Sequence, residues 1–256
     1  MTATATVSAH AKLTRTLRVT GVRHDGYHLI DAEMVTLALA DVLEITPHDE
    51  DRPPRIEVTG PHAGAVGADG DNLVARALVL CGRRADVRLR KEIPAGGGLG
   101  GGSADAAAVL RWAGWRDLEG AARIGADVPF CLAGGRAQVG GIGEVVRPLP
   151  HVDAVVTLVV PPFGVPTPAV YAAWDELARR APGTRAGTGP NELESAACVV
   201  EPRLARWREE IRRACGVTPT LAGSGATWWL DGDHGDAARA IDGATVVVTR
   251  TLDTRG

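Results

Sequence analysis

The chain has 256 residues, a net charge of −3, 45% hydrophobic and 23% charged residues. That size suits one large domain or two modest ones with a substantial core, and the slight acidity argues against a nucleic-acid partner. No run of about 18 apolar residues could span a membrane, and Met1 to Ala9 lacks the basic-then-apolar order of a secretory signal. Cys81, Cys131, Cys198 and Cys215 stand apart, with no CxxC, which predicts free thiols in a reducing cytoplasm. Of the 28 basic residues only Lys12 and Lys91 are lysine. A GC-rich coding bias accounts for that skew, and under it the two surviving lysines are either chance or positions that need a compact charge.

In chain order, residues 1–8 read as a frayed end and Ala9 to Val22 as a strand. Asp25-Gly26 is a hairpin signal, so Tyr27 and His28 open a returning strand. Met34 to Ala40 and Val42 to Ile45 continue it, with a break at Asp41. Pro47 to Pro54 is a turn, Ile56 and Val58 a short strand, and His62 to Asp71 a glycine-rich loop. Asn72 to Cys81 reads as a helix capped by Asp71 or Asn72. Val87, Leu89, Lys91 and Ile93 alternate with charged residues as a strand. Ser103 to Trp112 is alanine-rich and helical, ending at Gly114. Asp117 to Ile124 is a short helix capped by Asp117.

Gly134 to Gly143 is a glycine turn between strands, and Pro148-Leu149-Pro150 a boundary. Ala154 to Val160 is a β-branched strand, Ala169 to Arg180 a helix, and Ala181 to Pro190 a polar loop. Arg203 to Cys215 is an amphipathic helix whose arginines form a solvated face. Gly223-Ser224-Gly225 makes a further turn before Trp228-Trp229-Leu230. Asp236 to Ile241 is a helix and Thr245 to Thr249 a strand. Hairpins mixed with helices predict an α+β fold with antiparallel sheet.

One stretch organises the rest. Between the strand ending near Ile93 and the helix opening at Ser103, six of the seven residues Gly96, Gly97, Gly98, Leu99, Gly100, Gly101 and Gly102 are glycine. Glycine allows positive φ and close approach of a ligand. Successive N–H groups and the helix N-terminus then favour an anion, and a run this long suits a polyphosphate. No Lys-Ser or Lys-Thr follows the last glycine, so this is not the common nucleotide loop. Ser103 could cap the helix, touch a phosphate or meet a magnesium ion.

The run from Pro94 through Gly96–Gly102 to Ser103, Ala104 and Asp105 resembles the phosphate loop of the GHMP kinases (galactose, homoserine, mevalonate and phosphomevalonate kinases). Within them it looks most like the branch whose acceptor carries a diphosphocytidyl group. The resemblance covers residues 9 to 250 and implies ATP and Mg2+ as cofactors. It implies two α+β domains with the active site between them: residues 1–149 binding nucleotide and 150–244 forming the C-terminal domain. Under it the last strand, about 245–256, can return to the first domain.

Other motifs carry the same resemblance. Ala11-Lys12-Leu13 matches the family's opening strand, and Asp127 in Gly125-Ala126-Asp127-Val128-Pro129 its acidic motif. The implied roles are catalytic: Asp127 aligns the acceptor hydroxyl and takes its proton, and Lys12 stabilises charge on the moving phosphoryl group. By pattern alone, a strand lysine reads as a solvated tail, an Asp before Val-Pro as a helix cap, and Asp105 as a partner of the helix dipole.

Tyr27-His28 and Tyr171 match the positions where the diphosphocytidyl branch holds a cytosine between two rings and reads its edge. Asn72 and Lys91 match positions near adenine and ribose. Gly223 and Ser224 match a loop closing over phosphates, and Asn191 a structural element. Departures are Thr14, where these kinases usually carry Asn near the acceptor, Arg15 and Thr16 for apolar neighbours, Ala222 for Thr or Ser, and a shortened segment before Asp127.

The implied activity is phosphorylation of a tertiary alcohol carrying a cytidine diphosphate group, by a cytoplasmic monomer or homodimer. Thr14 and the shortened segment leave room for a paralogue acting on another sugar or nucleotide-linked alcohol. A non-catalytic ATP-binding member is the third reading.

Overall fold

A hairpin of two long strands dominates the N-terminal half of the computed structural model, which describes residues 3–65, 72–180 and 189–253. Strand β1 (Ala5–Val22) pairs antiparallel with β2 (His28–Pro47), from Ala5 opposite Ile45 to Val22 opposite His28. The turn between them takes Gly26 to φ +88°, where a glycine is needed. The strand begins at Ala5, so the frayed reading of residues 1–8 fails over its second half: pairing to residues 42–45 holds that end. Nor does β2 break at Asp41. Its carboxylate is buried and accepts hydrogen bonds from the N–H groups of Glu92 and Ile93, which lets an acid sit inside a strand.

The register of β1 against β2 slips between His10 and Lys12 and again between Thr14 and Thr16. Such irregularities re-aim side chains, and these two bracket Lys12 and Thr14.

Strand β3 (Ile56–Thr59) precedes helix α1 (Leu73–Leu80), and β4 (Ala85–Arg90) then pairs with both β2 and β3. Asn72 Oδ1 accepts from Val74 N at 2.9 Å and caps α1; Asp71, the other candidate cap, lies outside the described residues. Helix α2 (Gly101–Trp112) starts two residues before the expected Ser103, with Gly100 at its N-cap in the left-handed region. Its alanines at 104 and 106–108 are buried, and small side chains there let the helix pack closely on β1 and α1.

Helices α3 (Leu118–Ala122) and α4 (Val128–Ala133) follow. Asp117 stands at the N-cap of α3 without a side-chain cap bond; its backbone carbonyl instead accepts from the Trp115 indole. Strand β5 (Arg136–Gly141) pairs with β2, and β6 (Val145–Leu149) pairs with β5. Pro148 and Leu149 are therefore part of an edge strand and not a boundary loop; a strand edge tolerates the missing N–H.

The second half contains β7 (Val155–Val160), α5 (Thr167–Arg180), α6 (Glu194–Val200), α7 (Arg203–Cys215), β8 (Thr220–Leu221), β9 (Trp228–Asp231), α8 (Gly235–Ala238) and β10 (Thr245–Leu252). Helix α6 has no counterpart in the sequence reading, and residues 181–188 of the expected polar loop lie outside the described residues. Strand β10 runs antiparallel to β7 from Thr245 opposite Val160 to Arg250 opposite Val155. Its end reaches β2, Thr251 opposite Leu37 and Leu252 opposite Thr36. The two halves thus join in one path of strands, β3-β4-β2-β10-β7-β9-β8.

Candidate active site

The glycine stretch leaves β4 and turns into α2. Gly96, Gly98 and Gly100 take φ of +68°, +75° and +69°. A Cβ at Gly98 would lie 2.4 Å from the Ala222 carbonyl, and one at Gly97 would lie 2.5 Å from Thr227 Oγ1. Glycine is thus required twice over, for conformation and for the close approach of the 222–227 loop. The concavity of about 260 Å³ beside the loop is lined by Asn72, Lys91, Pro94, the residues Gly96 to Gly102, and Asp105. Ala104 stands outside this set: its methyl is buried in the core and its N–H donates to Gly100 O within the helix.

Lys91 lines the concavity, but its ammonium is committed. It pairs with Asp41 and, at 2.6 Å, with Asp105, and its side chain is 4% exposed. Asp105 therefore is not a simple partner of the helix dipole. Burial, outweighing the pull of Lys91, pushes its carboxyl up to about 7, and its Oδ1 has no hydrogen-bond partner. The triad ties β2, the strand entering the glycine loop and the first turns of α2 together.

A larger cleft of about 600 Å³ opens on the other side of the loop and shares Gly98 with the concavity. Lys12, Thr14, Tyr27, His28, Ser103, Asp127, Tyr171, Asp175, Gly223 and Ser224 all line it. Lys12 N donates to Leu99 O at 3.0 Å, which pins β1 to the glycine loop. A Cβ on Gly100 would meet Lys12 Cγ at 2.8 Å, so the lysine stem runs along the loop. Its ammonium reaches Asp127 Oδ2 at 3.2 Å and donates to Thr14 Oγ1 at 3.1 Å. Lys12 is 5% exposed, so it is no solvated tail. Asp127, at the N-cap of α4, makes no side-chain cap bond and turns to Lys12 instead.

Tyr171 and Asp175 lie on α5. The Tyr171 ring covers that of His28, centroids 4.6 Å apart at 32°, and Trp174 meets His28 edge-on at 5.8 Å. Burial, with the nearby Asp127 charge, pushes the Tyr171 phenol up to about 12. Tyr27 is 58% exposed and lies under the Arg23 guanidinium. Gly223 and Ser224 are placed by two contacts. Asn191 Nδ2 donates to Leu221 O and Gly223 O, and Ser224 Oγ bonds Thr167 Oγ1 at 2.7 Å.

The sequence reading missed Asp41 and Asp175. Asp41 looked like a strand break, and an acid inside a β run was its one visible signal. Nothing in the sequence distinguishes Asp175 from an ordinary exposed helix residue.

Residues 72–135 match the GHMP kinases N terminal domain. The chain is 41% identical over 241 residues to a 4-diphosphocytidyl-2-C-methyl-D-erythritol kinase of Paracoccus denitrificans (strain Pd 1222), covering 86% of this chain and 84% of that one. The chain belongs to the GHMP kinases, in the 4-diphosphocytidyl-2-C-methyl-D-erythritol kinase family. Kinase activity follows from that membership. A member from Mesorhizobium japonicum (strain LMG 29417 / CECT 9101 / MAFF 303099) is 37% identical, covering 90% of this chain and 88% of its own. A crystal structure of 4-(cytidine 5'-diphospho)-2C-methyl-D-erythritol kinase superposes with a TM-score of 0.73 at 30% identity, covering 97% of this chain and all of that one. The Methanococcus jannaschii mevalonate kinase shares the fold, with a TM-score of 0.64 at 12% identity and coverage of 98% and 99%. The α+β fold, expected from hairpins mixed with helices and from the family resemblance, is the one found. Among the described residues no helix is long and apolar enough to cross a membrane.

Proposed function

We propose that this chain transfers the γ-phosphoryl group of ATP to the 2-hydroxyl of 4-diphosphocytidyl-2-C-methyl-D-erythritol, a step of non-mevalonate isoprenoid synthesis. The observation that carries the proposal is the Lys12–Asp127 pair. It sits in the cleft directly against the glycine loop.

ATP lies with its phosphates against the loop amides and its nucleoside toward Asn72 and Pro94. Lys91 acts there through the loop it supports. The acceptor lies in the larger cleft, its cytosine between Tyr27 and Tyr171 with His28 at the base edge. Asp127 orients the hydroxyl and accepts its proton as the bond to phosphorus forms. Lys12 offsets charge on the transferring group, and Thr14 holds the ammonium in place. Phosphoryl transfer has a loose transition state, so positioning and charge carry most of the catalysis. Gly223 and Ser224 close the phosphate end of the cleft.

Among the described residues no cluster of three or more His, Cys, Asp or Glu could hold a metal ion. Ser103, on the first turn of α2 and in the cleft wall, is the residue that would hold Mg2+ on the protein side. The ion would supply neutralisation of phosphate charge. Residues 1–149 act as the nucleotide domain and 150–244 as the second domain, in a cytoplasmic monomer or homodimer.

The test is a kinase assay with ATP and the cytidine-carrying alcohol beside the same alcohol without cytidine. Turnover confined to the first supports the reading, and equal turnover sinks it. Thr14 favours a second reading, a paralogue for another alcohol, because its short side chain accepts from the Lys12 ammonium and keeps only a hydroxyl, with no amide, to offer the acceptor.

A further inference from the structure

Resting on the cytidine reading above, we propose that Asp175 sets the base preference of the cleft by fixing which nitrogen of His28 carries the proton. Asp175 Oδ1 lies 2.8 Å from His28 Nε2. A carboxylate only accepts, so Nε2 holds the hydrogen, and in the neutral ring Nδ1 presents a lone pair. The ring is held: Tyr171 covers one face, Trp174 meets it edge-on, and the side chain is 11% exposed. Tyr171 and Asp175 stand one turn apart on α5 and so act on His28 from one helix face.

A fixed acceptor at Nδ1 selects by chemistry. Cytosine presents an exocyclic amine donor where uracil-type bases present a carbonyl acceptor. The lone pair takes a hydrogen bond from the amine and faces the carbonyl oxygen unpaired, which disfavours uracil. Asp175 need not touch the substrate to do this. It is a positioning residue acting through His28.

The experiment compares kcat/KM for the cytidine and uridine forms of the same diphosphate-linked alcohol in wild type, Asp175→Leu and Asp175→Ala. Leucine keeps the volume and removes the acceptor. Nitrogen-15 NMR of the imidazoles, with His28 assigned by its loss in His28→Gln, reads the tautomer. The expected result has two parts. Wild-type His28 carries its proton on Nε2, and both variants lose that single tautomer. The cytidine preference falls about tenfold or more, through KM for the acceptor, while KM for ATP moves less than about twofold.

A preference that survives both variants, or a wild-type ring protonated on Nδ1 alone, overturns the Asp175 role and leaves the cytidine reading standing. Wild-type enzyme that used both acceptors equally would overturn the cytidine reading and the discrimination together.

Discussion

The Lys12 ammonium lies 3.2 Å from the Asp127 carboxylate, one reaching in from the middle of a long strand and the other from the start of a short helix. The helix N-terminus that Asp127 could have capped gets no bond from it. The carboxylate is spent on the cleft. Asp127→Asn keeps shape and loses the carboxylate proposed above as the proton acceptor. Turnover falls by about 10² to 10⁴, the usual share of general base catalysis, while nucleotide binding by titration stays close to wild type. Wild-type turnover in this variant would remove Asp127 from the chemistry.

Lys12→Arg is not conservative here. The lysine stem runs against Gly100 and its ammonium fits between Thr14 and Asp127 in a nearly closed space. A planar guanidinium is bulkier and aims its donors in a fork. Steady-state assay should give a loss of kcat of about tenfold or more; near-normal turnover refutes the point-charge argument.

Gly100→Ala strains the loop in two ways. The residue is left-handed at φ +69°, and the new methyl would lie 2.8 Å from Lys12 Cγ. The conformational part alone costs about 1–2 kcal/mol. Thermal melting should show a lower midpoint. Turnover should fall further than stability does, because the methyl displaces Lys12, proposed above to offset charge on the transferring group.

Asp105 gives a pH signature. Burial chiefly pushes its folded carboxyl up to about 7, above the ordinary value of 3.8. Below the lower value both folded and unfolded chains hold the proton. Between the two the unfolded chain loses it and the folded chain keeps it, so stability from this group falls as pH rises, and it levels off above the higher value. Denaturant titrations of wild type and Asp105→Asn between these limits check this. The asparagine variant should lack that decline, and parallel curves would show that Asp105 does not titrate across it.

The glycine loop, the strand before it and the helix after it were legible from local sequence. Positive φ, β alternation and helix propensity are properties of neighbouring residues. The same holds for the hairpin at Asp25-Gly26 and for the amphipathic helix at Arg203–Cys215, whose bounds the structure repeats. Asp41 and Asp105 were misread because their meaning depends on Lys91, a partner just past the end of β4 and distant from Asp41 in the chain.

The sequence alone determined which residues could bind phosphate and which charged groups were available for transfer, since residue type and spacing set those properties. Only the tertiary structure decided that Lys12 meets Asp127, that Lys91 is closed off by two acids, and that Asp175 grips His28. Each is a contact between groups distant in the chain. Its free energy depends on burial and separation in space, and neither is written in any local pattern.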